Sequence, residues 1–481
     1  MADKMKINKE VLIFLPLPAQ LSWRGEGIAQ VVEKTVANTK GVNWTIMSNK
    51  SIIEEASQSL RSVQNVNFTT FGKSKKPNSN NKTSQKIEVE FADFAKTNKS
   101  ALVLSRFLFA TKFHRLWDFV SWLAKFYLAN FQEKRSNYAS YDYVWVPTPI
   151  VLVSKKIPKT KLIFSFWDPF VFEYSSFPDI TKHYLFYSFS KKFLNCAGII
   201  TQSKANLDYL ENILGMDPSK ISVLPLAAGD VSDLVSDEMY GARAQNKLVK
   251  YWPERKYEIY KTKVKKPVEK VNTLSWKMRN TVMSKYMQEL KNKSEIWRLE
   301  KRLGNGSKVC VISTQNRPHK GLHNMFQIID KLTKLNTNLY FVFTGDVSSY
   351  LKKFPQLHEN VIQLSRITNE QLAYLYVVSD IAIHPSFVEG GLGTGPQFEA
   401  SSVGTPCLVN YGRHIKEAEE YFEVSFTNIY ANFVDNDETV NKILAILTDD
   451  KLAQENINHL RQHQISWISY GEKFNHILNN A

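Results

Sequence analysis

A chain of 481 residues is too long for one hydrophobic core and suits two or three domains. Apolar residues at 43% and aromatics at 12% furnish packed interiors and exclude a globally disordered chain. The formal net charge of +16 is concentrated: residues 241–302 carry 18 Lys+Arg against 6 Asp+Glu, a field that attracts phosphate-rich surfaces such as anionic lipid, nucleic acid or a polyanionic acceptor.

Val11–Leu15 reads as a first buried strand. The run Val11–Leu17 follows a lysine-rich start but is short and interrupted by prolines, so it does not read as a signal peptide. Gly27–Ala37 is predicted as a helix and Val42–Met47 as a strand. Asn43 and Asn67 open Asn-x-Ser/Thr sequons, which carry little weight in a chain expected to be cytoplasmic. Lys73–Lys86 is a polar Asn/Ser/Lys-rich connector. Residues 101–131 place Phe107, Leu108, Leu116, Trp117, Val120, Leu123 and Tyr127 at near-helical spacing, broken by Arg106, Lys112, His114, Arg115, Asp118 and Lys125. That stretch is no membrane span, which needs about 20 apolar residues. It fits a helix packed on the first sheet or one lying in a membrane interface.

Asp142–Val146, Leu162–Phe166 and Gly198–Thr201 follow as short buried strands, with a helix over Ser203–Leu214. From Asp230 to Gly306 strand runs vanish and a basic, helix-prone segment appears, with Val271, Leu274, Trp276 and Met283 spaced along it. A solvated arm, an oligomerisation element and an anion-facing surface all fit it. Alternation then resumes. Lys308–Ile312, Leu339–Phe343, Val361–Leu364, Asp380–Ile383 and Pro406–Val409 read as strands, and Gly321–Leu335, Asn369–Val378 and Thr439–Leu447 as helices. This texture predicts an α/β protein of two doubly wound, Rossmann-like parallel sheets. Ligands of such sheets sit at the carboxyl ends of the strands, so two facing sheets enclose a cleft. The expected boundaries are 1–229 completed by 466–481, a basic insert 230–306, and 307–465. Cys196, Cys310 and Cys407 are odd in number, far apart and set among apolar neighbours, which suits reduced, buried thiols and not a disulfide framework or metal site.

The most informative stretch is Asp380–Asn410. A short strand leads to Pro385-Ser386, then to the loop Glu389-Gly390-Gly391-Leu392-Gly393-Thr394-Gly395, then to a helix opened by Pro396 and carrying Glu399 in its first turn. Gly404 ends that helix. Glycines let backbone amides approach a ligand, and a helix start offers unpaired N–H groups to diphosphate oxygens. The flanking carboxylates suit sugar or ribose hydroxyls. A tight turn with Glu399 as a helix-start carboxylate fits the spacing equally.

These motifs resemble the donor-site signature of the family-4 retaining glycosyltransferases of the GT-B fold. Pro385-Ser386, Glu389-Gly390, Pro396-Gln397-Phe398-Glu399 and Gly404-Thr405-Pro406 match its order, and Ser313–Gly321 resembles its Arg…Lys-Gly loop. Thr344-Gly345-Asp346 and a final helix opened by Ser466-Trp467 also fall in order. Three departures stand out. Nine residues separate Glu389 from Glu399, where the family has seven. Gln315 holds the usual arginine position, leaving Arg317 to take that part. Trp167 replaces the histidine of the family's His-Asp pair, beside Asp168.

The resemblance implies that Lys320 and Arg317 neutralise the departing diphosphate, that Glu399 holds the ribose, and that Glu389 contacts the transferred sugar. Gly390, Gly391, Gly393, Thr394, Gly395, Gly345 and His384 would complete the donor pocket. Gly25 and Gly27, in Arg24-Gly25-Glu26-Gly27, would approach the diphosphate and acceptor, and Asp168 would touch the acceptor; a plain turn and a loop cap explain those residues as well. His319, His384 and His414 fit packing or hydrogen bonding better than general bases. No cofactor or metal is expected beyond a nucleotide diphosphate sugar donor, since Asp435-Asn436-Asp437 precedes a helix and suits an N-cap. The expected activity is retaining transfer of a hexose-type sugar to a glycan or lipid-linked acceptor in cell-surface polysaccharide synthesis. The chain would be cytoplasmic and, through 101–131 and 241–302, peripheral to an anionic membrane. The alternatives are a nucleotide-sugar epimerase of the same architecture and a nucleic-acid-binding or DNA-glycosylating protein using the basic insert.

Overall fold

A computed structural model describes residues 9–15, 23, 27–48, 50–70, 138–147, 157–167, 195–253, 276–304, 306–392 and 395–481. They divide into two compact units. The first comprises 1–201, 205–224 and 471–481, and the second comprises 202–204 and 225–470.

In the first unit the described strands are β1 (Lys9–Phe14), β2 (Val42–Ser48), β3 (Val66–Thr70), β4 (Tyr143–Val146), β5 (Leu162–Phe166), β6 (Gly198–Thr201) and β7 (Ile221–Val223). They pair in parallel in the order β3-β2-β1-β4-β5-β6-β7. Helices α1 (Gly27–Asn38), α2 (Lys50–Ser59) and α3 (Lys204–Asn212) accompany this sheet. Central strands such as β5 are buried along their whole length, as expected of parallel strands covered on both faces. Trp145 and Trp44 of this sheet meet Phe474 of the C-terminal helix at ring-centroid distances of 4.8 and 6.1 Å.

The second unit repeats the pattern. Strands β8 (Lys308–Ile312), β9 (Leu339–Phe343), β10 (Val361–Gln363), β11 (Ile381–His384), β12 (Cys407–Asn410) and β13 (Tyr430–Ala431) are parallel, in the order β10-β9-β8-β11-β12-β13. The predicted Rossmann-like α/β class is therefore what the chain forms in both units. Chain order then gives α4 (Trp276–Arg302), α5 (Leu322–Leu335), α6 (Asn369–Val378), α7 (Gly395–Ser402), α8 (Arg413–Phe422), α9 (Asn436–Thr448), α10 (Asp450–Gln462) and α11 (Trp467–Asn480). Val309 and Val311 belong to one buried cluster, while Cys310 and Ile312 belong to another. A two-residue side-chain period thus supplies both faces of one sheet.

The basic segment is built into this unit. Ala242, Leu248, Trp252, Ile296 and Leu299 join the same cluster as Val309, Val311 and Tyr374. Full burial of Ile296 and Leu299 is worth roughly 1.5–3 kcal/mol each. Arg243 adds a polar anchor, donating to Asp380, to Val378 O (2.9 Å) and to Ser307 O (2.6 Å). The described parts of 241–302 are thus wedded to the second sheet through their apolar residues and are no solvated arm. Val271 and Leu274 lie outside the described residues, as do the connector 73–86 and the amphipathic stretch 101–131. Among the described residues no helix is long and apolar enough to cross a membrane. All three cysteines are free and buried, and burial pushes the Cys196 thiol up to about 11.

Candidate functional site

In the second unit the strand order reverses direction between β8 and β11, the switch point at which open α/β sheets leave room for a ligand. The loops leaving the carboxyl ends of these two strands form the site. After β8 the chain reaches a single 3-10 turn, Pro318–Lys320, and then Gly321 at φ 62° and ψ 17°. Only glycine adopts that left-handed conformation without strain, and here it also has no room for a side chain. A Cβ on Gly321 would fall 2.1 Å from the carbonyl oxygen of Pro385. The two loops are joined directly: Phe387 N donates to His319 O at 2.9 Å, and Ser386 Oγ also donates to His319 O, at 3.4 Å. Asn410, at the end of β12, braces them by donating to Ser386 O (3.3 Å) while accepting from Phe433 N (2.9 Å). Gly345 presses on the first loop, since a Cβ there would lie 2.5 Å from Thr314 O.

On this scaffold Glu389 Oε1 accepts from both Lys320 Nζ and His384 Nε2, the latter at 2.7 Å. Lys320 and Glu389 are 15% and 21% exposed, and His384 is 4% exposed. An ionised carboxylate can only accept, which assigns the ring proton of His384 to Nε2. Its Nδ1 is buried without a hydrogen-bond partner among the described residues, as are both ring nitrogens of His414. Burial acts to raise the pKa of Glu389, but the His384 hydrogen bond and the electrostatic pull of His384 and Lys320 outweigh it and hold the carboxyl well below its ordinary value. Burial, reinforced by the Lys320 charge, lowers His319 to about 4. Burial likewise lowers His414 to about 4. These two imidazoles are therefore neutral at physiological pH, consistent with packing and hydrogen-bonding roles.

Glu399 sits in the opening turns of α7, where its Oε2 accepts from the Tyr376 hydroxyl at 3.1 Å. Its shift runs opposite to that of Glu389. Burial raises it, and the Tyr376 hydrogen bond offsets this only in part. The same burial, with the Glu399 charge, pushes the Tyr376 phenol well above its ordinary value. The two carboxylates thus sit in different electrostatic environments, one charge-paired and one hydrogen-bonded to a neutral phenol.

The structure brings Lys320, His384 and Glu389 together, places Gly390 and Gly391 directly beyond them, and starts α7 at Gly395. Arg317 does not join this cluster. It is the residue preceding the 3-10 turn, and its exposed side chain forms no ion pair with a described residue. Gly27 opens α1 in the first unit. Gly25, Asp168, Gly393 and Thr394 lie outside the described residues. Trp167, in place of a histidine, donates from Nε1 to Pro147 O at 2.6 Å. Asp435 caps α9 by accepting from Asp437 N and Glu438 N at 3.1 and 3.0 Å. Tyr376 and Asn410 are contributors the motifs did not single out. Tyr376 carried no local signal, because its contact with Glu399 spans 23 residues; the asparagine closing a strand was the only trace of Asn410.

This architecture is the GT-B fold of glycosyltransferases. Residues 293–463 match the family model described as Glycosyl transferases group 1. No curated protein matches the chain. Among solved structures the Anabaena protein HepE, in complex with UDP and glucose, aligns with a TM-score of 0.55 at 13% identity, covering 98% of this chain and 99% of that one. Sucrose-phosphate synthase from Thermosynechococcus elongatus also gives 0.55, at 11% identity and 98% of each chain. WaaG, a glycosyltransferase involved in lipopolysaccharide biosynthesis, gives 0.52 at 10% identity, covering 98% of this chain and 100% of that one.

Proposed function

We propose that the chain is a retaining, metal-independent hexosyltransferase that uses a nucleotide diphosphate sugar and delivers the sugar to a hydroxyl of a glycan or lipid-linked acceptor of a cell-surface polymer. The observation that carries this reading is the meeting of Lys320, His384 and Glu389 at the switch point, beside the start of α7 and Glu399. On donor binding Lys320 exchanges Glu389 for a diphosphate oxygen, and Arg317 supplies a second cation from the same loop. Cleavage of the anomeric C–O bond leaves its electron pair on the phosphate, and preorganised cations and the amides at the start of α7 stabilise that charge as it grows. Glu389, still held by His384, accepts from a sugar hydroxyl, while Glu399 accepts from the ribose. Gly345, Gly390, Gly391, Gly393, Thr394 and Gly395 let the backbone approach the nucleotide and sugar, with Gly25, Gly27 and Asp168 on the acceptor side.

HepE binds UDP and glucose, so UDP-hexoses are the first donors to test. Calorimetric titration with UDP and other nucleotide diphosphates identifies the base, and NMR of the product reports whether anomeric configuration is kept. Lys320→Ala and Glu399→Ala should each lower turnover by about 10²–10³-fold, the range for lost transition-state charge stabilisation, while the protein stays folded. Full activity in both variants would remove the proposed site. Consumption of donor without any acceptor would mark an epimerase instead.

A further inference from the structure

We propose that the outward face of α4 is a docking surface for an anionic lipid bilayer. The helix is held from within. Asn292, Ile296 and Leu299 are fully buried, and Asn292 Nδ2 donates to Ser365 O at 2.9 Å. Its carboxylates are engaged with the protein: Glu289 accepts from Trp252 Nε1 (3.1 Å) and Gln371 Nε2 (2.8 Å), Glu300 from Val249 N (2.8 Å), and Glu295 pairs with Arg298 at 3.0 Å.

What remains outward is apolar and basic. Met287, Leu290 and Trp297 are 55%, 45% and 52% exposed, and Lys291 and Lys301 are exposed with them. At 3.6 residues per turn these five positions fall within a sector of about 120°. The ammonium of Lys301 lies 5.6 Å from the Trp297 ring centroid. An indole and thioether flanked by lysines suits the boundary between headgroups and acyl chains, where apolar bodies enter and cations reach lipid phosphate.

Charge selects the occupant. Residues 276–302 hold 8 Lys+Arg against 3 Asp+Glu, and residues 254–275 before them hold 7 against 3. A second copy packed on this face would set lysines against lysines, a repulsive arrangement. Nucleic acid would use the lysines but leave Met287, Leu290 and Trp297 without purpose. An anionic bilayer uses both sets.

The test is co-sedimentation of the full chain with vesicles of phosphatidylglycerol and phosphatidylcholine, compared with phosphatidylcholine alone. Partitioning to the anionic vesicles should be at least tenfold stronger. Lys291→Ser combined with Lys301→Ser should weaken it about thirtyfold, at roughly 1 kcal/mol per lysine. Met287→Ser, Leu290→Ser and Trp297→Ser together should lower it by tenfold or more with an unchanged thermal midpoint. The lysine pair keeps the test decisive if the triple variant is poorly folded. Equal partitioning by wild type and both variants, absence of binding to anionic vesicles, a dimer abolished by the triple variant, or tight binding to duplex DNA would each overturn the proposal.

Discussion

Gly321→Ala tests whether the site depends on the close approach of its two loops. Two costs add. The backbone stands at φ 62°, where an L residue is disfavoured by about 1–2 kcal/mol, partly offset by about 0.4–1 kcal/mol from the stiffer unfolded chain. The second cost is specific to this site: the new methyl would lie 2.1 Å from Pro385 O and 3.1 Å from Pro385 C, backbone atoms that follow directly on β11. Relief requires the loops to separate, and overpacking of this kind costs about 1–3 kcal/mol. Gly306 provides the control, because it has φ 78° and nothing stands within 4 Å of the place a Cβ would take. Gly306→Ala therefore carries the conformational cost alone. Calorimetric scans should show Gly321→Ala about 1–3 kcal/mol less stable than Gly306→Ala, or roughly 2–12 °C at the 2–4 °C per kcal/mol of a domain this large. Titration should show weaker nucleotide binding in Gly321→Ala only, because separation of the loops moves Lys320 away from the diphosphate position beside the start of α7. Equal melting and equal binding in the two variants would refute the claim that the loops are interlocked.

Three further expectations follow from individual groups. Glu399 has a raised folded-state value, so the folded protein binds more protons than the unfolded chain above the ordinary carboxyl range, and its contribution to stability falls as pH rises through that window. Glu399→Gln should therefore melt higher than wild type at pH 7 yet bind nucleotide more weakly, as calorimetry of both properties will show. His414 has the opposite linkage. Its folded value near 4, against about 6.5 when unfolded, makes stability fall from pH 6.5 toward 4 by on the order of 3 kcal/mol; His414→Phe should flatten urea-unfolding stability across that interval. Arg243→Ala removes the partner of Asp380 and donors to Val378 O and Ser307 O. It should destabilise by about 2 kcal/mol, read as a lower urea midpoint with nucleotide affinity kept.

The strands that sequence displayed best are those buried on both faces, because a parallel strand covered by helices must be apolar throughout. β5 and β12 are of this kind. β3 and β7, by contrast, are half-exposed at the ends of their sheet, and β13 has only two residues, so none offered an apolar run. The basic segment shows another limit. Its charge count is a property of composition, but the partnership of Ile296 and Leu299 with Val309 and Tyr374 is tertiary and leaves no sign in the count. At the site, Lys320, Glu389, His384 and Glu399 were legible as residue types at spacings. That one carboxylate is shared by a lysine and a histidine, and the other bound by a phenol, was not.

The longer loop between the two glutamates acquires a physical explanation from those same partners. Two residues inserted between Glu389 and Pro396 would displace both carboxylates if each were positioned by the loop itself. Neither is. Glu389 is fixed from the strand side, by His384 at the end of β11 and by Lys320 of the neighbouring loop. Glu399 is fixed from the helix side, by Tyr376 of α6. Each anchor lies outside the segment that lengthens. The connection can then grow at little thermodynamic cost, since closure entropy rises only slowly with length, while the carboxylates at its two ends keep their places.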